Sequence, residues 1–209
     1  MQRPPNGTRF AAQQNREAVR APRLAVTLTA VPGSDYWIPM LENTETLLAL
    51  AEVAAAFAGF AALVSVIPRG LGRTSAPAHD VLRLRLVIAS GVAGVAAALV
   101  PIGLAGYWDT GLVWRLSAIA FLIFDNGIIV SFVSAYQPVR GTFPPDRLAV
   151  VVVSSIEVVE QASLAAVVLG VEVVDPAALY VAALILNICQ AGFIFLRFVG
   201  STFQHQESE

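Results

Sequence analysis

Five stretches of this chain, 46–67, 86–108, 112–136, 148–171 and 176–199, are long and apolar enough to cross a lipid bilayer. That feature constrains the fold more than any other. A spanning helix needs about 20 mostly apolar residues, and within lipid every backbone N–H and C=O must find its partner inside the segment. Helices satisfy that demand; open strands do not. Together the five stretches take up more than half of the 209 residues, and the connections 68–85, 109–111, 137–147 and 172–175 leave no room for a soluble catalytic domain. Only 13 % of the chain is charged and 56 % is hydrophobic, against about 25 % charged in a soluble domain. The expected fold class is all-α: an integral membrane helical bundle of five transmembrane helices. Four helices is the alternative, because the fourth stretch carries Glu157 and Glu160 in its interior.

The breaks carry familiar punctuation. Pro68 and Gly70, Asp109 and Gly111, and Pro144-Pro145 separate successive stretches, and Asp175-Pro176 pairs a capping residue with a proline at the first helical position. The domain reading is a disordered N-terminal extension over 1–39, a transmembrane bundle over 40–200 and a polar C-terminal tail over 201–209. Residues 1–39 hold Arg3, Arg9, Arg16, Arg20 and Arg23. That density is low for an arm that binds anionic lipid, and the 8-residue run LAVTLTAV is short for a signal sequence and lacks an A-x-A-like site. A dispensable, disordered extension is therefore the expectation, and one explanation of it is a natural start at Met40.

Orientation follows from the arginines. Arg69, Arg73, Arg83, Arg85, Arg140, Arg147 and Arg197 gather at one end of the expected bundle, against Arg115 alone at the other. The expectation is an outer N-terminus and a cytoplasmic C-terminus in a bacterial inner membrane.

Residue types exclude several functions. All 13 basic residues are arginine, so no lysine exists for a Schiff base or a phosphate-binding loop. His79 and His205 lie in polar segments, away from any membrane haem. Cys189 is the single cysteine, which rules out an internal disulfide or thiolate cluster; it reads as a small buried hydrophobe. A net charge of −2 without a basic block speaks against nucleic acid. No His–nucleophile arrangement, HExxH or GxGD motif is present, so no enzyme and no cofactor is expected, and no TVGYG-like filter is found.

What remains is a set of polar residues at one depth. Inserting an ionisable side chain costs about 2.5–3.5 kcal/mol on insertion scales, which makes each one a functional candidate. At about 1.5 Å per residue, Glu157 and Glu160 lie about 14–18 Å from the arginine-rich end. Asp125 with Asn126 on the third stretch, and Asn187 with Gln190 on the fifth, fall near the same plane. Ser154, Glu157, Glu160 and Gln161 share an arc of about 120° on one helix, and Asn187, Gln190 and Arg197 share about 80° on the next. Antiparallel neighbours joined by a short connection should turn these faces toward each other or toward the bundle interior.

Glu157, Glu160, Asp125, Asn187 and Gln190 thus form a candidate cation or proton site, with Asn126, Ser154, Gln161 and Glu52 as additional polar lining. No basic residue reaches that depth. Three carboxylates in low dielectric must be protonated, hydrated or neutralised by a bound cation; which cation, and whether a metal, stays open. The competing reading is structural, with the same groups bonding helix to helix for about 0.6–2 kcal/mol each, within the fold or against another membrane protein.

Lesser features are small-residue series at four-residue spacing (Ala51, Ala55, Gly59; Ala54, Ala58, Ala62; Ser90, Gly94, Ala98), a helix-kinking Pro101, and an aromatic belt of Trp37, Tyr107, Trp108, Trp114 and Tyr136. The segments LALAEVAAAFAGFAALVSVI, RLRLVI and LVPIGL resemble an uncharacterised group of small hypothetical integral membrane proteins of GC-rich bacteria, over most of 41–199. The resemblance implies the membrane class and a start near Met40, and no activity. Partners expected are the lipid bilayer, a second copy of the chain or another membrane protein, and protons or small cations.

Overall fold

The computed structural model describes residues 38–70, 78–142, 144, 146–171 and 173–204. Five long helices follow in order: α1 (Ile38–Gly70), α2 (Ala78–Leu104), α3 (Thr110–Tyr136), α4 (Arg147–Leu169) and α5 (Pro176–Gln204), with a short 3-10 turn at Gln137–Val139. Each has a stretch long and apolar enough to cross a membrane: Asn43–Val64, Val81–Leu104, Thr110–Val139, Arg147–Leu169 and Pro176–Gly200. The fold is therefore the five-helix bundle, and the four-helix alternative falls. Residues 1–37, which contain most of the expected extension, and residues 205–209 of the expected tail lie outside the described residues; α5 itself runs on to Gln204.

Helices α2, α3, α4 and α5 form a ring in which each packs on the next, while α1 lies against α2 and, less extensively, α5. The α1–α2 contact is close because both surfaces are small. A Cβ built on Gly91 would stand 2.8 Å from the Ala58 Cβ and 2.9 Å from the Ala54 carbonyl oxygen. Of the two α1 series, the one through Ala54 and Ala58 meets α2, whereas Ala55 and Gly59 face outward.

Caps fix the helix ends. Asp109 accepts from the Leu112 N–H at 3.0 Å, Asp146 from the Leu148 N–H at 3.0 Å, and Asp175 from the Ala177 N–H at 3.2 Å. These bonds use donors that a helix start leaves free. α4 ends at Gly170, whose φ of 69° is the left-handed conformation glycine adopts without strain. The Arg115 guanidinium lies where a Gly170 side chain would be, against the electronegative end of α4.

Two apolar clusters hold the bundle. At the end remote from most arginines, Leu47, Ala97, Trp114, Phe121, Leu164, Tyr180 and Leu184 pack together; toward the other end Ala61, Leu84, Val87, Phe195 and Phe198 do the same.

Three expectations need correcting. The second span begins at Val81, so Arg83 and Arg85 belong to α2 and not to the connection before it; His79 likewise falls in the first turn of α2. Helical bonding carries on through such a turn whether or not its side chains are apolar. Trp114 is buried against Tyr180, with ring centroids 5.5 Å apart, instead of standing in the aromatic belt. Its position on α3 turns it toward the ring interior, and burying an aromatic ring outweighs an interfacial seat. Cys189 is exposed, a position its apolar thiol tolerates in contact with lipid tails.

Candidate functional site

The polar residues meet between α3, α4 and α5, with Gln161 at their centre. Its amide nitrogen donates to Asp125 Oδ2 at 2.5 Å and to Glu157 Oε1 at 2.8 Å, and its oxygen accepts from Asn126 Nδ2 at 3.1 Å. Gln190 Nε2 on α5 donates to the other Glu157 oxygen at 3.0 Å. The result is a continuous chain of contacts, Asn126 and Asp125 to Gln161 to Glu157 to Gln190, across three helices. Asp125 and Glu157 thus share the Gln161 amide nitrogen as a donor.

Glu160 lies one helical turn from Glu157 and is 0 % exposed, with neither carboxyl oxygen in a hydrogen bond. Its neighbours are Asp125, Glu157 and the Asn187 amide. Asn187 is 2 % exposed, and its Oδ1 also lacks a partner; it points toward Gly94 on α2, where a Cβ would approach it to 3.6 Å. Gln190 Oε1 is buried and unpartnered in the same way. A buried carboxylate with no donor would carry the full desolvation penalty, about 1–3 kcal/mol for a neutral group and more for a charged one.

A cavity of about 400 Å³ leads from one end of the bundle to this cluster. Glu157, Gln190 and Ser154 line its inner part; Arg83, Arg140, Asp146 and Arg197 line its outer part. Arg197 pairs with Asp146, its Cζ lying 6.0 Å from the centre of the Phe193 ring. Beyond the cluster lies the Trp114–Phe121–Tyr180 core.

Of the residues expected at the site, Asp125, Glu157, Glu160, Asn187 and Gln190 come together with Asn126 and Gln161. Asn126 is exposed on α3 but keeps its bond to Gln161 and a second to the Leu122 carbonyl at 2.8 Å. Ser154 is exposed in the cavity wall, and Glu52 is exposed on α1, outside the hydrogen bonds of the cluster. The central position of Gln161 has no signature in the sequence beyond its shared helical face. Among the described residues, no group of three or more His, Cys, Asp or Glu side chains has an arrangement able to hold a metal ion.

Fold and site together define a small multi-pass membrane protein with a carboxyl–carboxamide cluster inside its helical ring. No protein-family model matches the chain, and neither a curated protein nor a solved structure matches it.

Proposed function

We propose that this protein binds and releases protons, or a small cation, at the Asp125–Glu157–Glu160 cluster, and works as a conducting or sensing oligomer. The observation that carries this reading is the pair Asp125 and Glu157, bridged by Gln161, with Glu157 lining a cavity open to one end of the bundle. A protein that needed only adhesion between helices would gain nothing from leading a cavity to an acid. Protons are favoured over metals because the amide N–H groups of Gln161 and Gln190 already point at the carboxyl oxygens a metal would need. The cavity that reaches Glu157 from the arginine-bearing end supports sensing by a single chain; conduction would need a path through the bundle or between copies.

The arginine-bearing end is assigned to the cytoplasm, on the rule that positive residues stay inside. A bacterial inner membrane suits the resemblance to small membrane proteins of GC-rich bacteria. No catalytic residue is assigned.

A second reading is that of an accessory subunit, whose polar cluster holds α3, α4 and α5 in register. The hydrogen bonds that span these three helices support it. The two readings separate in proteoliposomes. Imposed proton and cation gradients are followed with a pH-sensitive dye and ion-selective electrodes, beside a direct measurement of proton uptake by the purified protein. Uptake or flux that disappears in Glu157→Gln/Glu160→Gln while the folded assembly persists supports the proton reading. A double variant that loses thermal stability or assembly, from a parent with no uptake to lose, supports the accessory role.

A further inference from the structure

We propose that the outward face of α1 docks a transmembrane helix of another membrane protein, one that carries an arginine or lysine near the middle of its span, with Glu52 as the counter-charge. The inference is independent of the proton reading, because no residue of α1 lines the cavity that reaches Glu157.

Depth is the first observation. The apolar stretch of α1 runs from Asn43 to Val64, which puts Glu52 about 14 Å from one end and about 18 Å from the other at 1.5 Å per residue. A hydrocarbon core is about 30 Å thick, so the carboxyl group stands near its middle, on a stem shorter than those of the residues that snorkel to an interface. Glu52 is exposed there, and among the described residues it makes no hydrogen bond or ion pair. Ionisable groups at that depth face a bundle interior or an aqueous cavity, or pair with one another. Within one chain Glu52 does none of these, so its partner comes from outside the chain.

The surrounding face has the shape for a second helix. At 100° per residue, Leu48, Glu52, Ala55, Ala56, Gly59 and Leu63 fall in one arc of about 100°, opposite the side on which Ala54 and Ala58 meet α2. All six are exposed. A Cβ on Gly59 would meet nothing within 4 Å, and with Ala55 and Ala56 it leaves room for close approach beside the carboxyl group. Because α1 lies outside the ring of the other four helices, a partner on this face leaves that ring undisturbed.

Charge complementarity decides the occupant. A second copy has no cation to offer at this depth: the chain has no lysine, and Arg83, Arg85, Arg115, Arg147 and Arg197 all lie within about 8 Å of the end of a span. Asn126, an exposed amide near mid-span, already donates to the Leu122 carbonyl and to Gln161. Two copies meeting through this face would set Glu52 against Glu52. A basic side chain on a foreign helix offsets the charge and donates hydrogen bonds to the carboxylate oxygens.

The test places the full chain in phosphatidylcholine vesicles with a synthetic leucine–alanine helix of about 22 residues bearing one central arginine, beside the same helix with a central leucine. Energy transfer between labels on peptide and protein reads binding. The arginine helix should bind about tenfold or more tighter than the leucine helix. Glu52→Leu should abolish that difference and leave the melting temperature of the isolated chain unchanged or higher, since it removes an acid from lipid. Gly59→Leu, which puts bulk on the same face, should weaken the arginine helix. Should Glu52→Leu fail to fold, Glu52→Gln, which keeps the shape and loses the charge, decides in its place. Equal affinity for the two helices would overturn the proposal, as would a preference that survives loss of the Glu52 charge. Single-molecule photobleaching without peptide tests the second copy: an oligomer that Glu52→Leu dissociates would overturn the proposal in favour of self-association. A chain begun at Met40 that takes the arginine helix where the full chain does not would overturn it in favour of the chain's own N-terminal segment.

Discussion

The Tyr180 hydroxyl on α5 donates to the backbone carbonyl of Ala97 on α2, at 2.7 Å in a fully buried setting. That carbonyl is the one Pro101 leaves without a helical partner, since proline has no N–H to return four residues back. Two features that look separate in the sequence, an in-helix proline and a tyrosine 79 positions later, are one interaction in the fold. It joins α2 to α5 in the core that lies beyond the polar cluster, where Tyr180 also meets Trp114 and Phe121 at ring distances of 5.5 and 6.1 Å.

Tyr180→Phe keeps the ring and removes only the hydroxyl, so it should lower unfolding stability by about 1–2 kcal/mol by stranding the Ala97 carbonyl. Pro101→Ala restores a helical N–H for that carbonyl. The double variant should therefore lose less than Tyr180→Phe alone. Reversible unfolding in mixed micelles measures both; an additive or larger loss would detach the tyrosine from the proline.

Gln161→Leu should be more damaging than Glu157→Gln. The leucine removes both N–H groups that reach Asp125 and Glu157, together with the acceptor for Asn126, and leaves the buried Asp125 without that donor while Glu157 keeps the one from Gln190. A loss of about 1–3 kcal/mol is expected. Glu157→Gln keeps its shape and can still accept one amide N–H, so its loss should stay under about 1 kcal/mol. Equal melting temperatures for the two variants would show that Gln161 does not hold the cluster together.

Gly91→Val and Gly59→Ala test where the small residues matter. A Cβ on Gly91 collides with α1 at 2.8 Å, whereas Gly59 has nothing within 4 Å. The valine should separate α1 from α2 and lower stability by about 1–3 kcal/mol or more. The alanine on the outer face should be neutral, or stabilising by up to about 1 kcal/mol through its helix propensity. Cross-linking between cysteines placed on α1 and α2 should fail only in Gly91→Val.

Asp146 has two tasks, capping α4 and pairing with Arg197. Asp146→Ala should lose the cap, about 0.5–2 kcal/mol, whereas Arg197→Gln should cost under about 1 kcal/mol because the pair is more than a third exposed. Raising the salt concentration should shrink the arginine effect and leave the capping effect. A thermal melt series at two ionic strengths separates them.

Class and span count were legible because they depend on length and apolarity, which are additive along a chain. The common depth of Asp125, Glu157, Glu160, Asn187 and Gln190 was legible for a similar reason: depth is a residue count multiplied by the helical rise. Asp175-Pro176 announced a helix start, and the structure has one there. Facing partners are another matter. Nothing local distinguishes Gln161, which bonds three neighbours, from Glu52, which stands exposed, or Trp114 in the core from Trp108 on the surface. Such choices depend on the rotation of each helix about its own axis, and that rotation is set by contacts among all five at once. A side chain's depth in the membrane is a property of its own helix; its hydrogen-bond partner belongs to two or three helices together, so only their packing could decide it.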